Sequence, residues 1–366
     1  MTKRLLVMAG GTGGHVFPGL SVAQLLADKN WQIHWLGTSE RMEAQLVPQA
    51  GFPISFIDVV GVRNNGLLRL IAAPFKIIKS VLQAKKIIKS FEPDVVLGLG
   101  GFASGPGGIA AWLANKPLVV HEQNAAPGMT NRILARLAKK VLTGFANTFE
   151  AQQASNNTND EKYQWVGNPV RAAFATIPVK SEVTLPLNIL VVGGSLGAQI
   201  LNQVVPLALV ANACVNVRHQ TGKGHLDEVT RVYQQSLNGQ DNWQLSEFID
   251  DIPAAYAWAD LVICRAGALT VAEVAAAGVC AIFVPLPHAV DDHQTKNAQV
   301  LADAGAAYLL PQSGFTVDAL QNLITHCLSQ PEKLILMSQK AKTLACLDAA
   351  QHVATICEQL AGRCHD

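Results

Sequence analysis

The sequence predicts an α/β protein built from two Rossmann-like domains that face each other across a cleft. Three observations carry this expectation. Short apolar runs alternate with stretches of helical spacing along nearly the whole chain, the pattern of parallel sheets covered by helices on both faces. A strand–glycine–helix unit at residues 4–19 (RLLVMAGGTGGHVFPG) returns about half a chain later at residues 188–199 (NILVVGGSLGAQ). The 366 residues suffice for two separate cores.

The elements follow in order. The first strand, residues 5–9, stops at Gly10, Gly11, Gly13 and Gly14, which lead to His15 and to a helical pattern beginning near Pro18. A strand that turns into a helix through glycines exposes backbone N–H groups and partial positive charge, which suits a phosphate or a polar substrate head. A third version of the unit spans residues 94–106 (DVVLGLGGFASGP). In the first half, further strands are expected at 32–36, 54–60, 95–99, 116–121 and 140–143, with helices at 20–28, 67–89, 107–114 and 131–138. Residues 152–162 read as a polar surface excursion, 165–171 as a Gly-Asn-Pro turn, and 172–187, with two prolines and no periodicity, as the linker. The second half repeats the plan, with strands at 189–192, 215–220, 243–248, 261–264 and 280–284. From residue 295 the chain is mostly helical. The expected division is 1–171 for the first domain and 172–344 for the second, with a helix at 345–366 joining the first.

Composition narrows the function classes. A formal net charge of +1 gives no bulk attraction to nucleic acid. The seven Cys all follow residue 200 and form no C-x-x-C pair, so disulfides and a zinc site are not expected; Cys214, Cys264 and Cys280 read as small core residues in a reducing cytoplasm. The N-terminal apolar run is too short for a signal peptide. Residues 95–114 carry no charge and could span a bilayer by length, but their glycines and Pro106 read as strand, turn and helix.

The glycine loops do not fit a nicotinamide fingerprint. Gly11-Thr12-Gly13 would require glycine or alanine at Val16, and the second strand ends in Leu36-Gly37-Thr38 with no acid in place. No Walker lysine follows any loop. Residues 265–273 (RAGALTVAE) are the most informative stretch: Ala268, Leu269 and Thr270 open a helix and present backbone N–H groups to a diphosphate. Glu273, a turn further on, can accept hydrogen bonds from a ribose diol. Residues 283–294 supply His288, Asp291, Asp292, His293 and Gln294 beyond another strand end, but no Asp-x-Asp element accompanies them, and no metal is expected. His15 and Glu122 both lie where polar side chains enter a ligand crevice, and either could act as general base.

Six segments together resemble the MurG family of glycosyltransferases, which convert lipid I to lipid II in peptidoglycan synthesis. They are residues 10–18 (GGTGGHVFP), 100–106 (GGFASGP), 121–124 (HEQN), 167–171 (GNPVR), 193–198 (GGSLGA) and 265–270 (RAGALT). The resemblance implies a GT-B fold and a donor, UDP-N-acetylglucosamine, bound mainly by the second domain. It places Ser195 on the phosphates, Ile249 on the uracil, Ala268–Thr270 on the diphosphate with Val271 and Ala272 beside them, and Glu273 on the ribose. It adds Arg171, Asn124 and the loop Gly11, Thr12, Gly13 and Gly14 to the donor site, His293 or Gln294 to the sugar hydroxyls, and His15 to the acceptor side. The reaction implied is inverting transfer to the MurNAc 4-hydroxyl of lipid I, with no cofactor and no metal, the leaving diphosphate being stabilised by helix starts and Arg171.

Residues 66–89 are strongly apolar yet carry Arg69, Lys76, Lys79, Lys85, Lys86 and Lys89 and no acid. That is the pattern of a helix lying on an anionic membrane surface, with Leu67, Leu68, Leu70, Ile71 and Phe75 dipping in and Lys139 and Lys140 adding charge. The expected location is the cytoplasmic face of the inner membrane, with a cell-wall synthesis complex as a candidate partner. Two other classes fit less well: a nicotinamide oxidoreductase, against which the fingerprint spacing stands, and a two-domain sugar-binding protein, against which the expected absence of an export signal stands.

Overall fold

The computed structural model describes residues 2–59, 67–150, 161–194, 196–209, 214–236, 242–287 and 292–362, with backbone alone over 67–73. The chain folds as two compact units, Met1–Arg171 with Cys346–Asp366, and Ala172–Ala345. In the first unit the strands are β1 (Arg4–Ala9), β2 (Gln32–Gly37), β3 (Ile54–Phe56), β4 (Val95–Gly100), β5 (Leu118–Glu122), β6 (Lys140–Thr143) and β7 (Tyr163–Trp165). They form one sheet in the order β3-β2-β1-β4-β5-β6-β7, every pairing parallel. The helices are α1 (Gly13–Asp28), α2 (Glu43–Gln49), α3 (Leu67–Phe91), α4 (Ser104–Leu113) and α5 (Met129–Leu137). The order reverses between β1 and β4, and this is where ligands bind in such sheets, beyond the carboxyl ends of the strands.

The second unit repeats the order. Its strands β8 (Leu187–Val192), β9 (Val215–Gln220), β10 (Trp243–Ser246), β11 (Leu261–Cys264), β12 (Cys280–Phe283) and β13 (Ala307–Leu309) run β10-β9-β8-β11-β12-β13, again all parallel. Its helices are α6 (Ala172–Ala175), α7 (Gln199–Leu209), α8 (Leu226–Ser236), α9 (Ile252–Trp258), α10 (Ala268–Ala277), α11 (His293–Asp303), α12 (Val317–Ser329) and α13 (Pro331–Thr343). The reversal falls between β8 and β11, so the glycine loop after β8 and the start of α10 lie side by side.

The last helix, α14 (Ala349–Gly362), returns to the first unit and packs on α1. Val353, Ala354, Ile356, Cys357 and Ala361 join the core formed by Leu5, Val7, Val22, Leu26 and Trp35 on one face of the sheet. The other face is covered by a second cluster, which includes Leu6, Met8, Val81, Ile88, Val96 and Leu134.

Several expectations change. Helix α1 starts at Gly13 instead of residue 20, because Thr12 is extended and already caps it, so Gly13, Gly14 and His15 are its first turn. Helix α2 is not visible as apolar periodicity, being seven residues long with Pro48 inside. Strands β7 and β13 are three-residue edge strands too short to stand out. Residues 172–187 are no loose linker: Phe174 is fully buried against the Tyr256 ring at 5.2 Å, and Lys180 Nζ donates to Asp260 Oδ1 at 2.6 Å. Cys264 and Cys280 are buried as expected, but Cys214 is exposed, at the start of β9. The polar stretch at 152–162 lies almost wholly outside the described residues. Residues 95–114 form β4 and α4, and among the described residues no helix is long and apolar enough to cross a membrane.

Candidate active site

In the first unit, the loops after β1 and β4 meet at His15, and β5 ends beside β4. The β1 loop carries Gly10 and Gly11; the β4 loop carries Gly100 and Gly101; the β5 end carries His121 to Asn124. His15 is half-buried in the first turn of α1, and its Nδ1 lies 3.0 Å from Gly10 O and 3.4 Å from Thr12 Oγ1. A carbonyl oxygen can only accept, so Nδ1 carries the proton in this contact and Nε2 is the basic nitrogen. The ring rests over Gly100, where an added Cβ would come within 2.9 Å of Cδ2 and Nε2. Gly101 sits against Gly10, whose carbonyl an added Cβ would overlap. Buried Ser104 ties the two loops together: its Oγ accepts from Gly100 N (3.1 Å) and reaches Met8 O at 2.9 Å.

The other predicted residues of this unit differ in what they offer. Gly11 N, expected to face a ligand, donates inward to Glu43 Oε2 at 2.9 Å. Gly13 and Gly14 keep the first-turn position, where helix N–H groups lack intrahelical partners. Glu122, a base candidate, is buried and its carboxylate already accepts four hydrogen bonds. The donors are Asn124 N (3.0 Å), Asn124 Nδ2 (3.1 Å), Gly128 N (3.0 Å) and Asn131 Nδ2 (2.8 Å). It braces the turn into α5, and so places Asn124. His121 Nε2 donates to Gly167 O at 2.9 Å, and burial pushes its pKa down to about 4, so it is a neutral anchor for the Gly-Asn-Pro turn. That turn delivers Arg171, whose guanidinium lies over the Phe17 ring at 5.2 Å.

In the second unit, Gly267 caps α10 in an extended conformation, and Ala268, Leu269 and Thr270 are its first three residues. Their N–H groups have no intrahelical acceptor and point out of the carboxyl end of the sheet. Ala268, Leu269 and Val271 bury their side chains, while Thr270 and Ala272 are half-buried. Glu273 is 8% exposed and lies near Cys264, whose thiol is pushed up first by burial and then by that carboxylate. Arg265 Nη1 donates to Val284 O (3.0 Å) and Pro285 O (3.2 Å), joining the ends of β11 and β12. Ile249 is half-buried in the connection from β10 to α9. His293 opens α11, and Gln294 Oε1 accepts from Leu286 N at 2.9 Å. Ser195, His288 and Asp291 lie outside the described residues. Among the described residues no three His, Cys, Asp or Glu side chains gather as a metal-binding group.

On α3, Phe75, Ile78 and Leu82 share one face and are 75%, 56% and 61% exposed. The side chains of Leu67, Leu68, Leu70 and Ile71 lie outside the described residues. Lys76 is exposed on the same helix, whereas Lys79 is engaged by Asp58 at 2.8 Å. Lys140 Nζ is likewise held, by Glu161 O. Sequence reasoning missed Glu43, Ser104 and the exposed Ile78 and Leu82. Ile78 and Leu82 could have been found from their i, i+3, i+7 spacing with Phe75; Ser104 lies in the segment 100–106 but is given no role there, and nothing local marks Glu43.

Two parallel sheets of one strand order, each with a glycine loop and an open helix start at its reversal point, define the GT-B class of glycosyltransferases. The comparisons agree. The glycosyltransferase family 28 N-terminal domain matches residues 5–143 and the family 28 C-terminal domain matches residues 188–353. A protein of Pseudoalteromonas atlantica (strain T6c / ATCC BAA-1087) is 64% identical over 367 residues, covering 98% of this chain and 96% of its own. It is called UDP-N-acetylglucosamine--N-acetylmuramyl-(pentapeptide) pyrophosphoryl-undecaprenol N-acetylglucosamine transferase. The crystal structure of Acinetobacter baumannii MurG is 43% identical, with a TM-score of 0.80 over 98% of this chain and 99% of that one. CalG4, the calicheamicin glycosyltransferase, is 16% identical with a TM-score of 0.69 over 99% of each chain, a likeness of fold alone. The chain belongs to the MurG family, within glycosyltransferase family 28.

Proposed function

We propose that this protein transfers N-acetylglucosamine from UDP-N-acetylglucosamine to the MurNAc 4-hydroxyl of lipid I, forming lipid II with inversion at the anomeric carbon. The observation that carries the mechanism is the seat of His15. Its Nδ1 is committed to Gly10 O, which makes Nε2 the atom that accepts a proton. Nε2 takes the proton of the acceptor 4-hydroxyl as that oxygen bonds to the sugar C1. The C1–O bond to the diphosphate breaks, and UDP leaves with the electron pair. Attack from the side opposite the diphosphate turns an α donor into a β product.

The donor belongs to the second unit. Backbone N–H groups of Ala268–Thr270 stabilise the charge that develops on the diphosphate, and Glu273 accepts from the ribose hydroxyls. Donors of this kind are worth ~2.7–4 kcal/mol of barrier each, which lets the reaction proceed without a metal ion. Ser195, Ile249, His293 and Gln294 complete the donor contacts. The acceptor belongs to the first unit, where Glu122 positions Asn124 and is not itself the base. The exposed face of α3, with Phe75, Ile78, Leu82 and Lys76, holds the enzyme to the cytoplasmic membrane surface where a polyprenyl-linked acceptor resides.

The test is UDP release from UDP-N-acetylglucosamine with and without a soluble lipid I analogue, repeated in EDTA. The expected result is release that requires the acceptor, survives EDTA, and gives a β-linked product by proton NMR coupling. His15→Ala lowers turnover by orders of magnitude while donor affinity stays within a few-fold. Wild-type turnover in that variant would remove His15 as base, and loss of activity in EDTA would remove the metal-free mechanism.

A further inference from the structure

Glu43 is nearly fully buried (1% exposed) in the first turn of α2, and no role above uses it. Its Oε1 accepts from Thr38 N (3.0 Å) and Thr38 Oγ1 (2.7 Å), which fixes the carboxylate at the end of β2. Its Oε2 accepts from Gly11 N at 2.9 Å. Gly11 N–H and Gly10 C=O belong to one peptide group, and in a trans peptide they point to opposite edges of the same plane. On the far edge, Gly10 O accepts from His15 Nδ1 at 3.0 Å. The carboxylate and the imidazole are therefore joined through a single peptide. An added Cβ on Gly10 would overlap the carboxylate, and one on Gly37 would come within 2.7 Å of its Cγ, so both glycines leave the space that Glu43 fills.

We infer that Glu43 is a positioning residue for His15, acting through the Gly10–Gly11 peptide. A carboxylate hydrogen-bonded to the N–H polarises the peptide and makes its carbonyl a stronger acceptor. The stronger carbonyl holds the proton on Nδ1 and leaves Nε2 as the nitrogen that can accept one. A carboxylate does the same by direct contact in the serine protease triad, where it fixes the imidazole tautomer and orientation. Here one peptide is interposed. The carboxylate also pins that peptide's plane, since rotating it would break the bonds on both edges together. The inference rests on the reading of His15 as base for its effect on rate, but not for its effect on the imidazole.

The experiment uses the full-length protein with 15N-labelled histidine, the His15 signal being assigned with His15→Gln. In the wild type the His15 nitrogens show the widely separated shifts of a fixed Nδ1–H tautomer. In Glu43→Gln they move toward averaged values. The kcat falls at least about tenfold while KM for UDP-N-acetylglucosamine stays within twofold, and in a His15→Gln background the same substitution costs no further kcat. Thr38→Val, which removes one donor from Glu43 and leaves the charge, shifts the tautomer in the same direction by less, and serves if Glu43→Gln fails to fold. An unchanged His15 spectrum in both variants overturns the inference. Equal loss of kcat with and without His15 overturns it as well, since Glu43 would then act elsewhere. If His15→Ala keeps full turnover, the base assignment falls, and the imidazole spectrum of Glu43→Gln still decides whether Glu43 orients His15.

Discussion

The Gly100→Ala substitution isolates the seat of His15. Gly100 has φ +109°, a conformation that L side chains rarely adopt, and its missing Cβ lies 2.9 Å from His15 Cδ2 and Nε2. Two effects follow and they can be separated. Holding alanine at such a φ costs ~1–3 kcal/mol, which at ~2–4 °C per kcal/mol for a unit of this size lowers its melting temperature by several degrees. The new methyl group also needs ~3.5–4.0 Å from ring atoms, so the imidazole moves by roughly 0.6–1 Å. A displacement near 1 Å at a reacting group costs ~10²-fold in rate, or about 2.7 kcal/mol of barrier. The control is Gly51→Ala: φ there is +84° and nothing lies within 4 Å of the added Cβ, so it carries the strain alone. Steady-state UDP release with a saturating acceptor analogue, together with thermal melts of the full chain, reads both terms. The expected outcome is a similar drop in melting temperature for the two variants and a loss of kcat in Gly100→Ala alone. A folded Gly100→Ala enzyme with wild-type kcat would refute the reasoning, as would an equal loss of kcat in Gly51→Ala.

Three further predictions follow from other parts of the molecule. Glu273→Gln weakens donor binding about 10- to 100-fold, as a lost charge-assisted hydrogen bond of ~1.5–3 kcal/mol requires, with little change in kcat; the measurement is KM for UDP-N-acetylglucosamine. The fully buried His121 and His219 have pKa values pushed by burial down to about 4 and about 3. Each unfolded imidazole takes up a proton below about pH 6.5, so stability is full above that pH and falls as the pH drops toward the folded values. The loss at pH 5 is about 2 kcal/mol per residue, and urea midpoints measured at pH 7.5 and pH 5 should differ accordingly, with equal midpoints counting against it. Ile78→Glu combined with Leu82→Glu should lower sedimentation with anionic phospholipid vesicles while leaving turnover of a soluble acceptor analogue unchanged.

Much of the fold was legible because its signals are local. A parallel strand buried on both faces is a continuous apolar run, and β1, β11 and β12 begin and end close to where such runs do. The elements that escaped notice are short edge strands, β7 and β13, and α2, whose seven residues cannot show a helical period. Of the site, the glycine loops, the start of α10 and His15 were visible as strand-end motifs. What the loop amides bind was not: Gly11 N–H looks available to a ligand in sequence, yet it belongs to Glu43, 32 residues away. Likewise Glu122 reads as a base by its place at a strand end, and only its four donors show that it holds a turn.

By itself the sequence determined two alternating α/β halves, the strand-end loops and the chemistry they can offer, because these depend on neighbours within a few residues. Tertiary structure alone decided which glycine accommodates the imidazole, which carboxylate stands behind it, and that the last helix completes the first core. Those contacts join Gly100 to His15, Glu43 to Gly11 and Val353 to the β1 core, pairs remote in sequence. No local preference encodes them; they exist only once parallel pairing has brought the ends of β1, β2 and β4 together.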